Sequence, residues 1–414
     1  MKRIAALAAT LAVCVISAST RVAGSTTAEL FDSSKLQRID LWLHTADWEK
    51  LRQNFQTNEY YPADLTWNGE TIRNAGIRSR GAASRNGTKP GLKVDFDRYD
   101  SDQRFLGLKS LVLDNLAQDA SGIHETVTNW MFARMGIPAA REVHARLNVN
   151  GNYAGLYAVI EPVDKVFLAR VFGSIGDDVQ NDGYLYEFNK VAVWDFSYLG
   201  SDLAPYKAYF EAKTHETKTD EDLYRPIERL LRLANETPAA DFPAVLGPYL
   251  DINGLVRYLA VQNVVAENDG FLGEFGVNNF YLYRLEHSEQ HVLIPWDDDL
   301  AFNGPTYDVL NGVQRNALAS RLMENRDYFA LYVQALQEVV NSADVRPIGE
   351  AIGPLEEEIR RQIGLIDEAM LEDPLKPWTA TDYTTGRDLM IQFAPQRLRY
   401  VGCEVARLTG APPC

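Results

Sequence analysis

Apolar and polar positions alternate with the two-residue period of strands through much of residues 36–190. In "RIDLWLH", Ile39, Leu41 and Leu43 alternate with Asp40, Trp42 and His44; in "LKVDFD", Leu92, Val94 and Phe96 alternate with Lys93, Asp95 and Asp97. Asn68-Gly69 and Asn150-Gly151 sit between such runs, and these residue pairs favour tight hairpin turns because both tolerate positive φ. One helix is predicted inside this stretch. Over 121–135, Ile123, Val127, Trp130 and Met131 recur at helical spacing, with Ser121 as the N-cap and Gly136 then Pro138 as the stop.

After about residue 205 the helical period takes over, in "DEDLYRPIERLLRLA", "DINGLVRYLAVQNVVAE", "RDYFALYVQALQEVV", "IGPLEEEIRRQIGLIDEAM" and "GRDLMIQFAPQRLRYVGCEVARL". Only "NNFYLYRL" and "QHVLIPW" read as strands there, and they predict one embedded hairpin. The chain shows no internal repeat and no low-complexity linker. The expected class is α+β, with a β-rich N-terminal lobe over 36–190 and a mainly helical C-terminal lobe over 205–414.

Composition narrows the partners. With 414 residues, 46% hydrophobic and 24% charged, the chain reads as soluble and globular. A formal charge of -16 argues against a nucleic-acid partner, because phosphate backbones are held by a surplus of Lys and Arg. The start, "MKRIAALAATLAVCVISASTRVAGS", has Lys2 and Arg3, an apolar segment and small residues suited to cleavage, and predicts a signal peptide over 1–24. Cys14 follows Val13, a poor fit to a lipoprotein site. The mature protein is then expected to be secreted, periplasmic or in the cell envelope. No other segment reaches the roughly 20 apolar residues of a membrane span. Cys403 and Cys414 remain, an even count that suggests one disulfide closing a terminal loop, with two free thiols as the alternative.

Residues 292–302, "VLIPWDDDLAF", set three aspartates between apolar flanks. Two carboxylates about 4 Å apart repel by roughly 1 kcal/mol in water and roughly 4 at a protein-surface dielectric, so the run calls for a bound cation or an exposed turn. Alternation in an extended segment makes Asp297 and Asp299 a metal-facing pair and turns Asp298 outward, where Asn should replace it at little cost. Such a pair suits Mg²⁺, which takes one or two protein carboxylates and fills its shell with water and phosphate oxygens. A solvated turn is the competing reading.

Upstream, "AENDGFLG" places Asp269 just past a helix, where an Asp-Gly step also suits a plain turn. Asn278 and Asn279 open the strand expected to pair with "HVLIPW". The hairpin would then gather Asp269, an Asn and Asp297/Asp299 at one end, a grouping that phosphoryl transfer uses. "GIRSRGAASRNGTKPGLKVDF" carries Arg78, Arg80, Arg85, Lys89 and Lys93 with four glycines, either a phosphate cradle or a solvated basic loop. Neither GxxxxGK[ST] nor GxGxxG occurs, and no GxSxG elbow is present. His287 and His291 lie in the polar tip "EHSEQH", a poor zinc site.

Taken together, "GIRSRGAAS", "KPGLKVDF", "FLGLKSLVLDN", "MGIPAAREVHARLNVNGNYAGLYAVIEPVDKVFL", "DGYLYEF", "NNFYLYR" and "IPWDDDLAF" resemble the spore coat protein H (CotH) kinase family, from about residue 38 to the C-terminal helices. The resemblance implies a bilobal, atypical, secreted protein kinase-like fold that encloses ATP and Mg²⁺ or Mn²⁺. It implies that Asp269 is the catalytic aspartate. Asp297, opening a W-D-x-D pattern, would be the principal metal ligand, with Asp299 and Asn279 beside it and Asn278 as the alternative asparagine. Lys93 would contact phosphate, with Arg80 in the glycine-containing loop. Glu125 would pair with that lysine, and Glu161 in "YAVIEPVDK" would fall at the hinge.

The chain departs from ordinary kinases in lacking HRD and DFG strings, and Asn279 follows Asp269 by ten residues. The implied function is transfer of the γ-phosphoryl of ATP to Ser or Thr of a protein substrate by a monomer. The alternatives are a catalytically inactive surface or coat protein on the same fold, and nucleotidyl transfer.

Overall fold

The computed structural model describes residues 25–175, 178–179, 181–238, 241–344, 351–412 and 414, so the predicted signal segment 1–24 lies outside the described residues. The alternating segments become β1 (Gln37–Trp42), β2 (Tyr61–Trp67), β3 (Glu70–Arg80), β4 (Gly91–Asp95), β5 (Ser110–Asp114), β6 (Glu142–Val149) and β7 (Asn152–Ile160). They close into a barrel in the order β1-β2-β3-β4-β5-β7-β6. Closure is non-local: β1 runs parallel to β6, with Leu41 opposite Val149, while its other neighbour, β2, is antiparallel. Alternation puts Ile39, Leu41, Leu65, Leu92, Val94 and Leu147 inside, all fully buried. The two hairpin turns form as expected, with φ of 50° and 79° at Asn68 and Gly69 and 51° and 81° at Asn150 and Gly151.

Helices α1 (Thr27–Leu30) and α2 (Thr45–Gln53) flank the barrel, and α3 (His124–Arg134) interrupts it between β5 and β6. The cap of α3 differs from the sequence expectation. Asp119, not Ser121, satisfies the first turn: its carboxylate accepts the His124 N–H at 2.7 Å and both the N–H and hydroxyl of Ser121 at 2.7 Å. Its charge does this better than a neutral hydroxyl, because the exposed N–H groups of a helix start favour an anion.

Beyond β7 come α4 (Lys165–Phe172), β8 (Ser174–Ile175), β9 (Asp178–Val179), β10 (Tyr184–Phe188), α5 (Ala204–Tyr209) and β11 (Phe210–Ala212). The remaining elements are α6 (Asp220–Glu236), α7 (Phe242–Leu246), α8 (Ile252–Val264), β12 (Phe280–Arg284), β13 (His291–Pro295), a short 3-10 turn (Val313–Arg315), α9 (Ala317–Glu324), α10 (Arg326–Asp344), α11 (Pro354–Glu372) and α12 (Ala380–Thr409). The predicted hairpin β12–β13 is present, with Phe280 opposite Pro295 and Arg284 opposite His291. It joins a second sheet, β11-β10-β12-β13, so β10 belongs with the hairpin rather than with the barrel. The architecture is mixed α+β, strands dominating the first half and helices the second. No helix among the described residues is long and apolar enough to cross a membrane.

Two buried polar contacts fix the last helices against the rest. Lys89 Nζ meets Asp373 Oδ2 at 2.7 Å, and the same oxygen accepts the Leu156 N–H at 2.9 Å. Fully buried Arg397 on α12 donates to the carbonyls of Val264 at 2.9 Å and Pro305 at 3.2 Å. Since Val264 ends α8, this guanidinium supplies a donor to a carbonyl with no intrahelical partner and ties α12 to the segment that follows. The sequence-predicted disulfide joins Cys403 of α12 to Cys414, with their Cα atoms 5.4 Å apart.

Candidate functional site

Helix α8 stops at Val264, and Ala266 turns the chain at φ 55° into a loop running to Asn279, itself at φ 53°. Gly270 permits the tight path: a Cβ there would lie 2.1 Å from Gln262 Nε2. Glu267, 1% exposed, accepts the Asp269 N–H on Oε1 at 2.6 Å, and the Tyr307 hydroxyl donates to the Glu267 carbonyl at 3.0 Å. The loop therefore presents Asp269 on a hydrogen-bonded frame.

The hairpin brings the expected partners to it. Asp269 Oδ2 accepts from Asn278 Nδ2 at 3.0 Å and Asn279 Nδ2 at 3.3 Å, and Oδ1 accepts from Lys190 Nζ at 3.2 Å. Asn279 Nδ2 also donates to the Asp297 carbonyl at 3.1 Å, so one amide links the Asp269 loop to the aspartate run.

At the run itself the extended chain ends early. Strand β13 stops at Pro295 and Asp297 takes φ 58°, in the left-handed region. Strict alternation therefore fails at this position. The expectation of an outward Asp298 is corrected: it is fully buried, and neither carboxylate oxygen has a hydrogen-bond partner. Burial, and then Glu267 and Asp297, push its carboxyl well above the usual range. A solvated turn is excluded by the same burial.

Asp297 and Asp299 remain partly open. The Asp297 N–H donates to Glu125 Oε1 at 3.2 Å, and the Asp299 carbonyl meets His124 Nδ1 at 2.8 Å, so α3 braces the run from the barrel side. Burial raises the Asp297 carboxyl to about 6; Arg80 opposes the rise, while Asp114, Asp269 and Glu187 add to it. Asp299 is also raised well above its ordinary value, by burial and then by Asp297 and Asp114. Glu125 is also well above its ordinary value, from burial first and then Glu142 and Asp297.

The basic residues divide. Arg80 on β3 reaches the acids: Nη1 lies 3.3 Å from Asp114 Oδ2, and its guanidinium sits 6.0 Å from the Trp296 ring centre. Burial disfavours its charge, but Asp114, Asp297 and Glu125 outweigh that and raise its pKa. Lys93 on β4 instead sits among Asp95, Arg78, Lys213 and Glu187, with burial lowering its pKa. The expected Lys93–Glu125 pair does not form, because Glu125 is turned toward the Asp297 amide and the cation in its field is Arg80. Glu161 is fully buried; Arg141 holds Oε1 at 2.7 Å and Arg170 holds Oε2 at 2.5 Å, which leaves its side chain committed to the link after β7.

Several contributors escaped sequence reasoning. Lys190 carried no motif, and only its place in "DGYLYEFNK" after a strand could have flagged it. Lys213 and Glu187, 2.6 Å apart, come together through the β10–β11 pairing. Asp114 ends β5, and Glu267 lies two residues before Asp269.

Among the described residues no three His, Cys, Asp or Glu side chains are grouped closely enough to hold a metal ion by themselves. Mg²⁺ does not require such a group, since one or two carboxylates suffice when phosphate and water supply the rest. The donor set fits that demand. Nearby Asp114 adds to the raised proton affinity of Asp297, Asp299 and Glu125, with Arg80 as a counter-charge, and a divalent cation would relieve this repulsion. Asn279 spends its amide nitrogen on Asp269 and Asp297, leaving Oδ1 as the atom it can offer a cation.

Residues 77–401 match the family model described as CotH kinase protein. The chain is also 22% identical over 391 residues to the inner spore coat protein H of Bacillus subtilis (strain 168), covering 89% of this chain and 98% of that protein. The matched span takes in the basic loop, α3, the Asp269 loop, the β12–β13 hairpin and the aspartate run, and the chain belongs to the CotH family.

Proposed function

We propose that the chain is an atypical protein kinase that uses ATP with Mg²⁺ or Mn²⁺ to phosphorylate Ser or Thr of a protein, acting outside the cytoplasm or at a cell or spore surface. The observation that carries this reading is the double contact of Asn279, whose amide links the Asp269 carboxylate to the backbone of Asp297. In this reading the barrel and the helical half are the two lobes, and the acceptor hydroxyl meets Asp269 between them.

Bound metal would supply positive charge against the phosphate oxygens, held by Asp297 and Asp299 with Asn279 beside them. Arg80 would meet phosphate from the barrel side, and Lys93, opposite Arg78, lies two residues further along the β3–β4 pair. As the hydroxyl oxygen bonds to the γ-phosphorus and the bond to the β-phosphate oxygen breaks, Asp269 takes the hydroxyl proton and ADP leaves. A carboxylate offers about four acceptor sites, so its contacts with Lys190, Asn278 and Asn279 leave room for an incoming hydroxyl. The test is transfer of labelled γ-phosphate by the mature chain with Mn²⁺ or Mg²⁺. Asp269→Ala and Asp297→Ala should each remove it, and transfer persisting in both would sink the proposal.

A second reading is a surface or coat protein without turnover. The name of the Bacillus subtilis relative, an inner spore coat protein, and the three donors already engaging Asp269 favour it. A protein of this kind would show no thermal shift with ATP under either metal.

A further inference from the structure

Two short segments are bonded to the Asp269 loop, and both expose large apolar side chains. Val191 is 59% exposed, Val193 75% and Phe275 65%. Isolated surface apolar residues need no explanation, but these three lie on two segments whose backbones are fastened to each other.

The strap around residues 190–195 is fastened at three points. Lys190 Nζ is bonded to Asp269, the Trp194 carbonyl accepts the Val277 N–H at 2.8 Å, and the Asp195 carbonyl accepts the Ala317 N–H at 2.8 Å. Trp194 itself is buried, stacked on Phe188 and Tyr209 with ring centres 6.1 and 4.7 Å away. On the facing loop, the Glu274 N–H donates to the Asn268 carbonyl at 2.8 Å and the Asn278 N–H to the Gly270 carbonyl at 3.1 Å. Gly276 lets the two segments touch, since a Cβ there would lie 2.5 Å from the Trp194 carbonyl oxygen. Val193 and Phe275 are therefore each one residue from a fixed backbone contact, and Val191 is one residue from the lysine on Asp269.

We infer that Val191, Val193 and Phe275 form the lip that docks an extended segment of the protein substrate, selecting a large apolar side chain close to the acceptor Ser or Thr. This rests on the kinase reading of Asp269 above. Lys190 and the Glu274–Asn268 backbone contact tie the two segments to the Asp269 loop, so the lip lies beside the carboxylate that the hydroxyl must reach. Exposed Asp195 and Glu274 lie along the same two segments, so charge disfavours an acidic segment. Burying apolar area on an already ordered lip favours binding without a cost of ordering the loop.

The test is a set of peptides with one central serine, each flanking position varied through all residue types, phosphorylated by the full mature chain with Mn²⁺ and ATP. Wild type should favour Leu, Ile, Val or Phe near the serine over Gly by about tenfold in kcat/KM. The Val193→Asp/Phe275→Asp variant should lose that preference, and Val193→Leu/Phe275→Leu should retain it, with unfolding midpoints unchanged in both. The same apolar preference in the aspartate variant would overturn the lip while leaving the kinase reading intact. Loss of self-association in that variant, with peptide selection unaltered, would assign the lip to a second copy of the chain and also overturn the proposal. Wild type that transfers to no peptide and binds no nucleotide would remove the kinase reading itself, and this inference with it.

Discussion

Glu125 Oε1 accepts the backbone N–H of Asp297 at 3.2 Å across 172 residues of sequence, so the helix inside the barrel half sets the position of the aspartate run in the helical half. Removing the acceptor leaves a buried donor unsatisfied, which costs about 1–3 kcal/mol. Glu125→Ala should lose that much in urea unfolding, whereas Glu125→Gln, which keeps the oxygen, should lose much less. Equal losses in the two variants would mean that the contact contributes little.

The pair Lys89–Asp373 performs a similar task where the end of α11 meets the barrel. Its side chains are 2% and 0% exposed, so breaking it strands a charge away from water. Asp373→Ala should cost about 3–5 kcal/mol by equilibrium unfolding, and Lys89→Met/Asp373→Leu should recover a large part of that loss. Gly155 at φ 123° packs against the same carboxylate, with a Cβ position 2.5 Å from Asp373 Oδ2, so Gly155→Ala should also destabilise.

Asp298 separates the buried arrangement from a surface turn. A solvated position would accept Lys at little cost. In the fully buried site Asp298→Lys forces a much longer, strongly hydrated side chain into closed space and should cost more than about 3 kcal/mol, or prevent folding. Soluble expression and a thermal melt decide between them. Asp298→Asn should be well tolerated, because it copies the shape of the neutral acid that burial favours.

Acid sensitivity follows from His291 on β13, which is fully buried with Nδ1 2.9 Å from the Tyr249 carbonyl oxygen. Burial lowers its pKa from 6.5 to about 4, so between those values the unfolded chain binds the extra proton. The histidine's contribution is fully present above about pH 6.5 and is lost as pH falls toward 4, with a slope of at most about 1.4 kcal/mol per pH unit. The stability difference between wild type and His291→Gln should therefore shrink as pH is lowered from 7 to 4; a pH-independent difference would contradict it. His144, lowered to about 4 by burial, should behave alike.

Local rules read much of this fold. Alternation found β1 and β4, Asn-Gly pairs found two hairpin turns, and helical spacing found α3 and the later helices. The β12–β13 hairpin was legible for the same reason, and with it the meeting of Asp269, Asn279 and Asp297. What stayed hidden was set by tertiary contacts. Parallel β1–β6 pairing closes the barrel across a hundred residues without a local signal. The burial of Asp298 depends on one left-handed residue, Asp297, that interrupts the period on which the reading relied. Glu125 was placed correctly on its helix, but its partner depends on how the two halves dock, which no spacing encodes.

The central claim is that Asp297 belongs to a metal-assisted nucleotide site and Asp269 to the transfer step. It is tested most directly by titrating Mn²⁺ and ATP into wild type, Asp297→Asn and Asp269→Asn while following labelled γ-phosphate transfer in the same samples. The account predicts that Asp297→Asn loses metal-dependent nucleotide binding, while Asp269→Asn keeps binding and loses transfer by about 100-fold or more. Unaltered binding in Asp297→Asn together with unaltered transfer in Asp269→Asn would contradict it.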